Sequence, residues 1–250
     1  MVFWNSENII FPKSKINILF RINTSNKKNN DYQLELIDIE YADDTKKQSR
    51  KQKNISIIDY RHVENPLSVL NKLMNEKQLS IYAEGDSAKI EYETFYRLNL
   101  KKVNKLVIWT IPPGLKELKH IVSSTSPNFI YLFGNRNKIN NTYQLLNKIG
   151  GMINFSINKS NGIILINKIA FATNLSNKTI ILSIKYFEAI GKIKIHEEDK
   201  EKFVVKHGNR SKENNAKNIL ISLQRQIDET NSFHKYYLSV DPEQMLSSII

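Results

Sequence analysis

Ser176-Asn177-Lys178-Thr179-Ile180-Ile181-Leu182-Ser183-Ile184-Lys185-Tyr186-Phe187-Glu188-Ala189-Ile190-Gly191-Lys192-Ile193 sets the frame for the segments on either side of it. Ser176 stands three residues before Thr179, the spacing at which a capping hydroxyl meets an orphan backbone N–H. Ile180, Ile184, Phe187 and Ile190 then recur at helical spacing and predict one buried stripe. Gly191 closes the pattern where a left-handed cap favours glycine. Ile193 and Ile195 begin a strand, 197–201 is a polar turn, and Phe203-Val204-Val205 is the returning strand.

Upstream, Asn141 can cap a helix whose stripe is Leu145, Leu146, Ile149, Met152 and Ile153. A second helix is expected over 165–173, with Leu165, Ile169 and Ala172 inward and Asn174-Leu175 as the turn. Three helices followed by a hairpin predict a winged helix-turn-helix unit over 141–208. In a DNA reader the third helix enters the major groove. Its outward set here is Lys178, Ile181, Leu182, Lys185 and Glu188, and two aliphatics there suit protein contact better than base edges. The hairpin mixes Lys192, Lys194, Lys200, Lys202 and Lys206 with Glu197, Glu198, Asp199 and Glu201. Lys178, Lys192, Lys194 and Lys202 are the residues expected to touch phosphate without reading sequence; the alternative is a solvated surface.

Residues 55–140 alternate strand and helix. Residues 55–60, 79–83, 105–110 and 129–133 read as strands, closed by Gly85, Pro112-Pro113 and Gly134-Asn135. Asn65 precedes Pro66 at a helix start, with Leu67, Leu70, Leu73 and Met74 as its stripe. Leu115, Leu118, Ile121 and Val122 mark the next helix. Apolar strands separated by amphipathic helices predict a small, mostly parallel sheet. Its strand ends carry neither a GxGxxG nor a P-loop, so a structural or docking platform is expected rather than a nucleotide site. The tail, 209–250, holds Ile219, Leu220, Leu223 and Ile227 at helical spacing. Phe233, Tyr236, Tyr237 and Leu238 then read as an anchor for that helix.

At the start, Ile16, Ile18, Phe20 and Ile22 alternate, as does 32–41, where Leu34, Leu36 and Asp38 fall in phase opposite Glu35, Ile37 and Ile39. A polar loop, 24–31, joins them. Two strands cannot bury their own face, so 1–42 reads as part of a larger β domain. The charged run 43–54 reads as a linker.

The chain has 250 residues and a net charge of +12, with +5 over 141–208 and none over the tail. Such a balance attracts polyanions, although a bias to Lys, Asn and Ile also follows from AT-rich coding sequence. There is no cysteine, hence no disulfide framework or thiolate site. Asn5, Glu7 and Asn8 interrupt the start where a signal peptide needs an apolar run, and no stretch approaches a membrane span of about 18 apolar residues. A cytoplasmic protein is expected. His62, His120, His196, His207 and His234 show no HxxxH, HExxH or His-Asp spacing. No GxSxG or Walker lysine occurs, which argues against an enzyme on this chain.

The order of segments resembles the C-terminal portion of RecJ-type single-stranded-DNA exonucleases. Ile16-Asn17-Ile18-Leu19-Phe20-Arg21 and Tyr32-Gln33-Leu34-Glu35-Leu36-Ile37-Asp38 look like the last strands of that family's OB-type domain. Ile57-Ile58-Asp59-Tyr60-Arg61 resembles the DxR opening of its C-terminal domain. Leu79-Ser80-Ile81-Tyr82-Ala83-Glu84-Gly85, Leu106-Val107-Ile108-Trp109-Thr110-Ile111-Pro112-Pro113 and Ile130-Tyr131-Leu132-Phe133 look like the following strands, and 229–237 its closing segment. The resemblance implies a fold of mixed α+β and α/β class: an OB-like antiparallel remnant, a small parallel sheet, the winged helix and a C-terminal helix. It also implies a non-catalytic part, acting in DNA repair and recombination, that binds single-stranded DNA or docks repair partners. Such a part would work beside a catalytic RecJ-type polypeptide or another repair protein, with no membrane. No Asp-His-His motif occurs here. Manganese or magnesium and 5′-to-3′ cleavage therefore belong to domains without a counterpart in this chain, and no cofactor is expected on it. Trp4, Lys15, Arg21, Lys27, Lys28 and Tyr32 match the positions where that domain would hold single-stranded DNA. The competing expectation is a winged-helix transcriptional regulator.

Overall fold

The computed structural model describes the strand backbones 16–24 and 32–41, and residues 55–74, 79–136, 142–209 and 215–247. Two compact units divide between Gln52 and Lys53. The first contains β1 (Ile16–Thr24) and β2 (Tyr32–Tyr41), paired antiparallel. Ile22 stands opposite Leu34 and Phe20 opposite Leu36, but the register then slips past Ile37, so that Ile18 meets Ile39. Strict alternation through Asp38 is therefore broken by a one-residue bulge, which shifts the later apolar positions of β2 by one. The loop expected over 24–31 starts one residue later, since Thr24 ends β1; the rest of that loop and the linker 43–54 lie outside the described residues.

The second unit begins with a five-stranded sheet built from β3 (Ser56–Tyr60), β4 (Leu79–Tyr82), β5 (Thr94–Phe95), β6 (Lys105–Thr110) and β7 (Phe129–Asn135). The order is β3-β7-β6-β4-β5 and every pairing is parallel. Parallel strands need both faces covered, and both are. α1 (Pro66–Leu73) sends Leu70 to the face of Ile81, Val107, Trp109 and Phe133. α2 (Leu115–Thr125) sends Leu118, Ile121 and Val122 to the face of Leu106, Ile108 and Leu132. The cap of α1 is as expected: Asn65 Oδ1 accepts from Ser68 N at 3.1 Å, with Pro66 following. Leu67 and Leu115, expected at the start of the two buried stripes, are instead 48% and 43% exposed. β7 also runs on through Gly134 instead of ending there. A Cβ at Gly134 would stand 2.3 Å from the Arg61 carbonyl oxygen, so glycine is what lets β7 pass beside the end of β3.

The helical part follows as α3 (Thr142–Lys159), β8 (Ile163–Leu165), α4 (Ile166–Thr173), α5 (Asn177–Ala189), β9 (Ile193–Glu198) and β10 (Lys202–His207). Ser176 Oγ accepts from Thr179 N at 3.2 Å, and Ile180, Ile184 and Phe187 are buried. Asn174 (φ 53°) makes the turn before α5, and Gly191 (φ 70°) the turn after it. β8 was not expected. It takes Leu165 out of the second helix and leaves it 38% exposed, while Ile166, Ile169, Ala170 and Thr173 form the inner face of α4.

α6 (Ala216–Ser239) joins the two parts. Leu223 and Ile227 complete the core beneath α3, α4 and α5, and Tyr237, completely buried, enters the core beneath α2. The aromatic tail is thus an anchor. α7 (Pro242–Ser247) adds Met245 and Leu246 to that second core. The architecture is mixed α/β, with one parallel sheet, one three-stranded antiparallel sheet and seven α-helices among the described residues.

Candidate nucleic-acid interface

The carboxyl ends of the parallel strands are tied into the helices by polar links. Glu84, after β4, is fully buried and accepts from Arg97 Nε at 2.9 Å and pairs with Arg97 Nη2 at 2.8 Å. That Nη2 also donates to the Leu175 carbonyl at 2.8 Å. Asn174 Nδ2 donates to the Ile111 carbonyl at 2.9 Å, and His234 Nε2 lies 3.2 Å from the Pro112 carbonyl. A cavity of about 680 Å³ remains between these links and α6. Its charges balance, with Arg97, Lys116 and Lys178 against Glu84, Glu117 and Glu229. Among the described residues, no cluster of three or more His, Asp or Glu side chains could hold a metal ion.

The antiparallel sheet has order β8-β10-β9. Gly162 (φ 75°) starts it; a Cβ there would fall 1.9 Å from the Val205 carbonyl oxygen. Directly opposed residues share a face, so burial sorts the two sides. Phe203 and Ile164 are paired and both buried, and buried Val205 is paired with half-buried Ile195. The other face carries Val204 between Ile163 and Glu197, Leu165 opposite Lys202, and Lys206 opposite Lys194, the register slipping by one residue of β9 at His196. Lys194 and Lys206 are exposed, and neither has a carboxylate partner among the described residues. Like charges directly opposite one another cost stability.

The acidic residues of the hairpin, expected as solvated charges, divide their work. Glu198 pairs with Lys185 of α5 at 2.9 Å. Asp199 Oδ1 accepts from Glu201 N at 2.7 Å and Lys202 N at 2.8 Å, closing the turn. Those two amide bonds hold its carboxyl below the usual carboxylate range. Glu197 lies 3.8 Å from Lys202 and remains largely exposed. Glu188 turns back to accept from Ile195 N at 2.9 Å.

The sequence-expected phosphate contacts therefore separate. Lys194 and Lys202 share the outer sheet face. Lys192 is exposed just before β9, with its Nζ 6.0 Å from the centroid of the Phe187 ring. Lys178 is exposed in the first turn of α5, at the 680 Å³ cavity. Trp4, Lys15, Lys27 and Lys28 lie outside the described residues. Arg21 and Tyr32 occupy strand positions opposite Glu35 and Thr24. Lys206, the partner in the opposed pair, was not singled out by sequence reading, although its alternation with Phe203 and Val205 was a usable signal.

The outward set expected on the third helix is also revised. Lys178 is exposed and Lys185 keeps 41% of its side chain exposed beside Glu198, but the aliphatic members of the set are not free. Ile181 and Leu182 are half-buried against the core that α6 completes with Leu220, Leu223 and Ile227.

Compared with protein-family models, with curated proteins and with solved structures, the chain matches none. No helix among the described residues is long and apolar enough to cross a membrane.

Proposed function

We propose that this chain is the non-catalytic C-terminal part of a RecJ-like single-stranded-DNA exonuclease, working in the cytoplasm by holding single-stranded DNA and docking repair partners. In this reading 141–208 is a winged-helix unit, 16–41 is the end of an OB-type domain, and the cleavage chemistry with its manganese or magnesium belongs to domains not represented here. The observation that carries the binding function is the Lys194–Lys206 pair. Two exposed lysines without a carboxylate partner among the described residues occupy directly opposed ladder positions, where an anionic backbone would relieve their repulsion. The helix-strand-helix-helix-hairpin order, with β8 edging the hairpin sheet, supports the winged-helix assignment.

The regulator reading is less well supported. A major-groove reader needs free polar side chains along the outward face of its third helix, and on α5 the exposed Lys178 is followed by half-buried Ile181 and Leu182 and by Lys185 paired to Glu198.

The test is binding of the full chain to labelled single-stranded and duplex oligonucleotides across a salt series. Preference for single strands, with affinity falling steeply as salt rises, is expected. Tight sequence-selective duplex binding would favour the regulator, and no binding to either would defeat the proposal.

A further inference from the structure

The outer face of the β8-β10-β9 sheet does not end at its lysines. Ile163 and Leu165 on β8 also line a groove of about 830 Å³ between α3 and α4. Phe155 of α3 stands in the same groove with 63% of its surface exposed, and Ile163 is 44% exposed. Lys168 of α4 is exposed at the rim, whereas Lys148 is already paired with Asp86 at 2.7 Å. Crossing the sheet from β8 to β9, one therefore passes an aromatic ring and two aliphatic side chains, then Val204 and Lys202 with Glu197 opposite Val204 and 3.8 Å from Lys202, and at the far end the opposed Lys206 and Lys194, which have no carboxylate partner among the described residues.

An apolar strip beside a cationic strip suits a chain that carries unpaired π faces on one side and phosphates on the other. Duplex DNA offers the phosphates but keeps its base faces stacked. A single-stranded polynucleotide offers both, and the pairing of a cationic track with exposed aromatic surface is the general chemistry of single-strand binding. The charges select an anionic occupant over a neutral apolar one.

We infer that this face is a single-strand binding surface on which Phe155, flanked by Ile163 and Leu165, takes a base by stacking while Lys194 and Lys206 hold the adjoining backbone. The inference rests on the proposed function and locates it on the outer face of the hairpin sheet and not on α5. DNA and RNA single strands share the recognised chemistry, since no group on this face is committed to the 2′-position.

The experiment uses the full chain with labelled oligothymidine and oligouridine of about 16 nucleotides. Phe155→Ala is expected to weaken binding about tenfold, in the lower half of what one lost base stack gives, while leaving the salt dependence as in wild type. Phe155→Trp is expected to restore affinity and to show tryptophan quenching on oligonucleotide addition. Unchanged affinity in Phe155→Ala, together with lost affinity in the separate variant Lys194→Ala/Lys206→Ala, would overturn the stacking site and leave the proposed function standing. Equal affinity for polyglutamate, insensitive to Phe155, would show a surface for any acidic chain and would also overturn it. Wild type binding no polynucleotide would defeat both together. Oligothymidine binding better than oligouridine, or the reverse, identifies the source without altering the Phe155 result.

Discussion

Arg61 donates from Nη1 to the carbonyl of Tyr237, joining the end of the first parallel strand to the last turn of the longest helix. Asp59 fixes the guanidinium for this task, accepting from Nε at 2.9 Å and from Nη2 at 2.8 Å. The guanidinium carbon also lies 5.8 Å from the centroid of the Tyr237 ring. Next to it, His62 Nε2 lies 2.9 Å from the Leu238 carbonyl. Helix carboxyl ends leave carbonyls without intrahelical partners and carry partial negative charge. Asp59, Arg61 and His62 therefore form a cap supplied from a different part of the chain. Arg61 holds the Asp59 carboxyl below the usual carboxylate range.

Arg61→Ala should accordingly destabilise the second unit by about 1–3 kcal/mol, the cost of leaving a hydrogen-bonded partner unsatisfied. Asp59 is about one-third exposed, which keeps the loss below that of a fully buried pair. Arg61→Lys should recover little, because an ammonium cannot make the two-pronged contact with Asp59. Urea denaturation midpoints measure both.

Much of this architecture was legible because its signals are local. Asn65 and Ser176 cap helices within three residues of themselves, and Gly191 and Asn174 announce left-handed turns by residue type. The apolar run 105–110 could hardly be anything but a buried strand. What escaped was set by distant partners or by elements too short for periodicity. β8 is three residues inside the apolar stretch Ile163-Ile164-Leu165-Ile166, which reads equally as a helix start. Its strand identity comes from Phe203 and Val204, about forty positions on. The burial of Ile181 and Leu182 depends on α6. Lys192 has the same sequence character as Lys194, yet the turn at Gly191 lays it against Phe187. Of the expected site, Lys194 and Lys202 were readable from alternation. Phe155 was not, since an exposed aromatic on an amphipathic helix has no one-dimensional signature.

Glu84 and Arg97 give a second prediction. Removing one member of a buried ion pair strands the other in a low-dielectric site. Glu84→Ala should cost about 3–5 kcal/mol, read as a lowered denaturant midpoint. The double change Glu84→Met/Arg97→Met should be less damaging than Glu84→Ala alone, because it removes both charges and fills the space.

His234 makes stability depend on pH. Burial lowers its pKa to about 4, against the hydrogen bond to the Pro112 carbonyl, which acts in the opposite direction. The unfolded chain, with an ordinary histidine near 6.5, then binds the proton more readily than the folded one. The contribution is complete above the unfolded pKa and is lost as pH falls from about 6.5 towards 4, to a limit of about 3 kcal/mol. Thermal melts of wild type and His234→Gln across that window should diverge in slope, with the variant losing less stability on acidification.

Gly150 and Gly151, adjacent in α3, should respond in opposite directions to alanine. A Cβ at Gly151 meets nothing within 4 Å, whereas one at Gly150 falls 2.9 Å from Phe187 Cζ. Gly151→Ala should stabilise the protein by about 0.5–1 kcal/mol through helix propensity. Gly150→Ala must displace a ring packed in the core, and overpacking of that kind costs about 1–3 kcal/mol. Melting temperatures of the two variants, measured side by side, check the sign.

Lys206→Glu separates stability from binding on one residue. It converts an opposed like-charge pair into an opposed ion pair with Lys194, and cross-strand pairs of this kind are worth about 0.2–1 kcal/mol. The variant should therefore melt at the wild-type temperature or slightly above it. Its affinity for oligothymidine should fall, because Lys206 is removed as a phosphate contact and Lys194 is engaged by the new carboxylate. Each phosphate contact to a single strand contributes about 0.7 to the slope of log affinity against log salt, so losing both should flatten that slope by about 1.4. A variant that melts lower and binds as before would mean that the pair is an ordinary solvated surface, stabilised by something other than an anionic ligand.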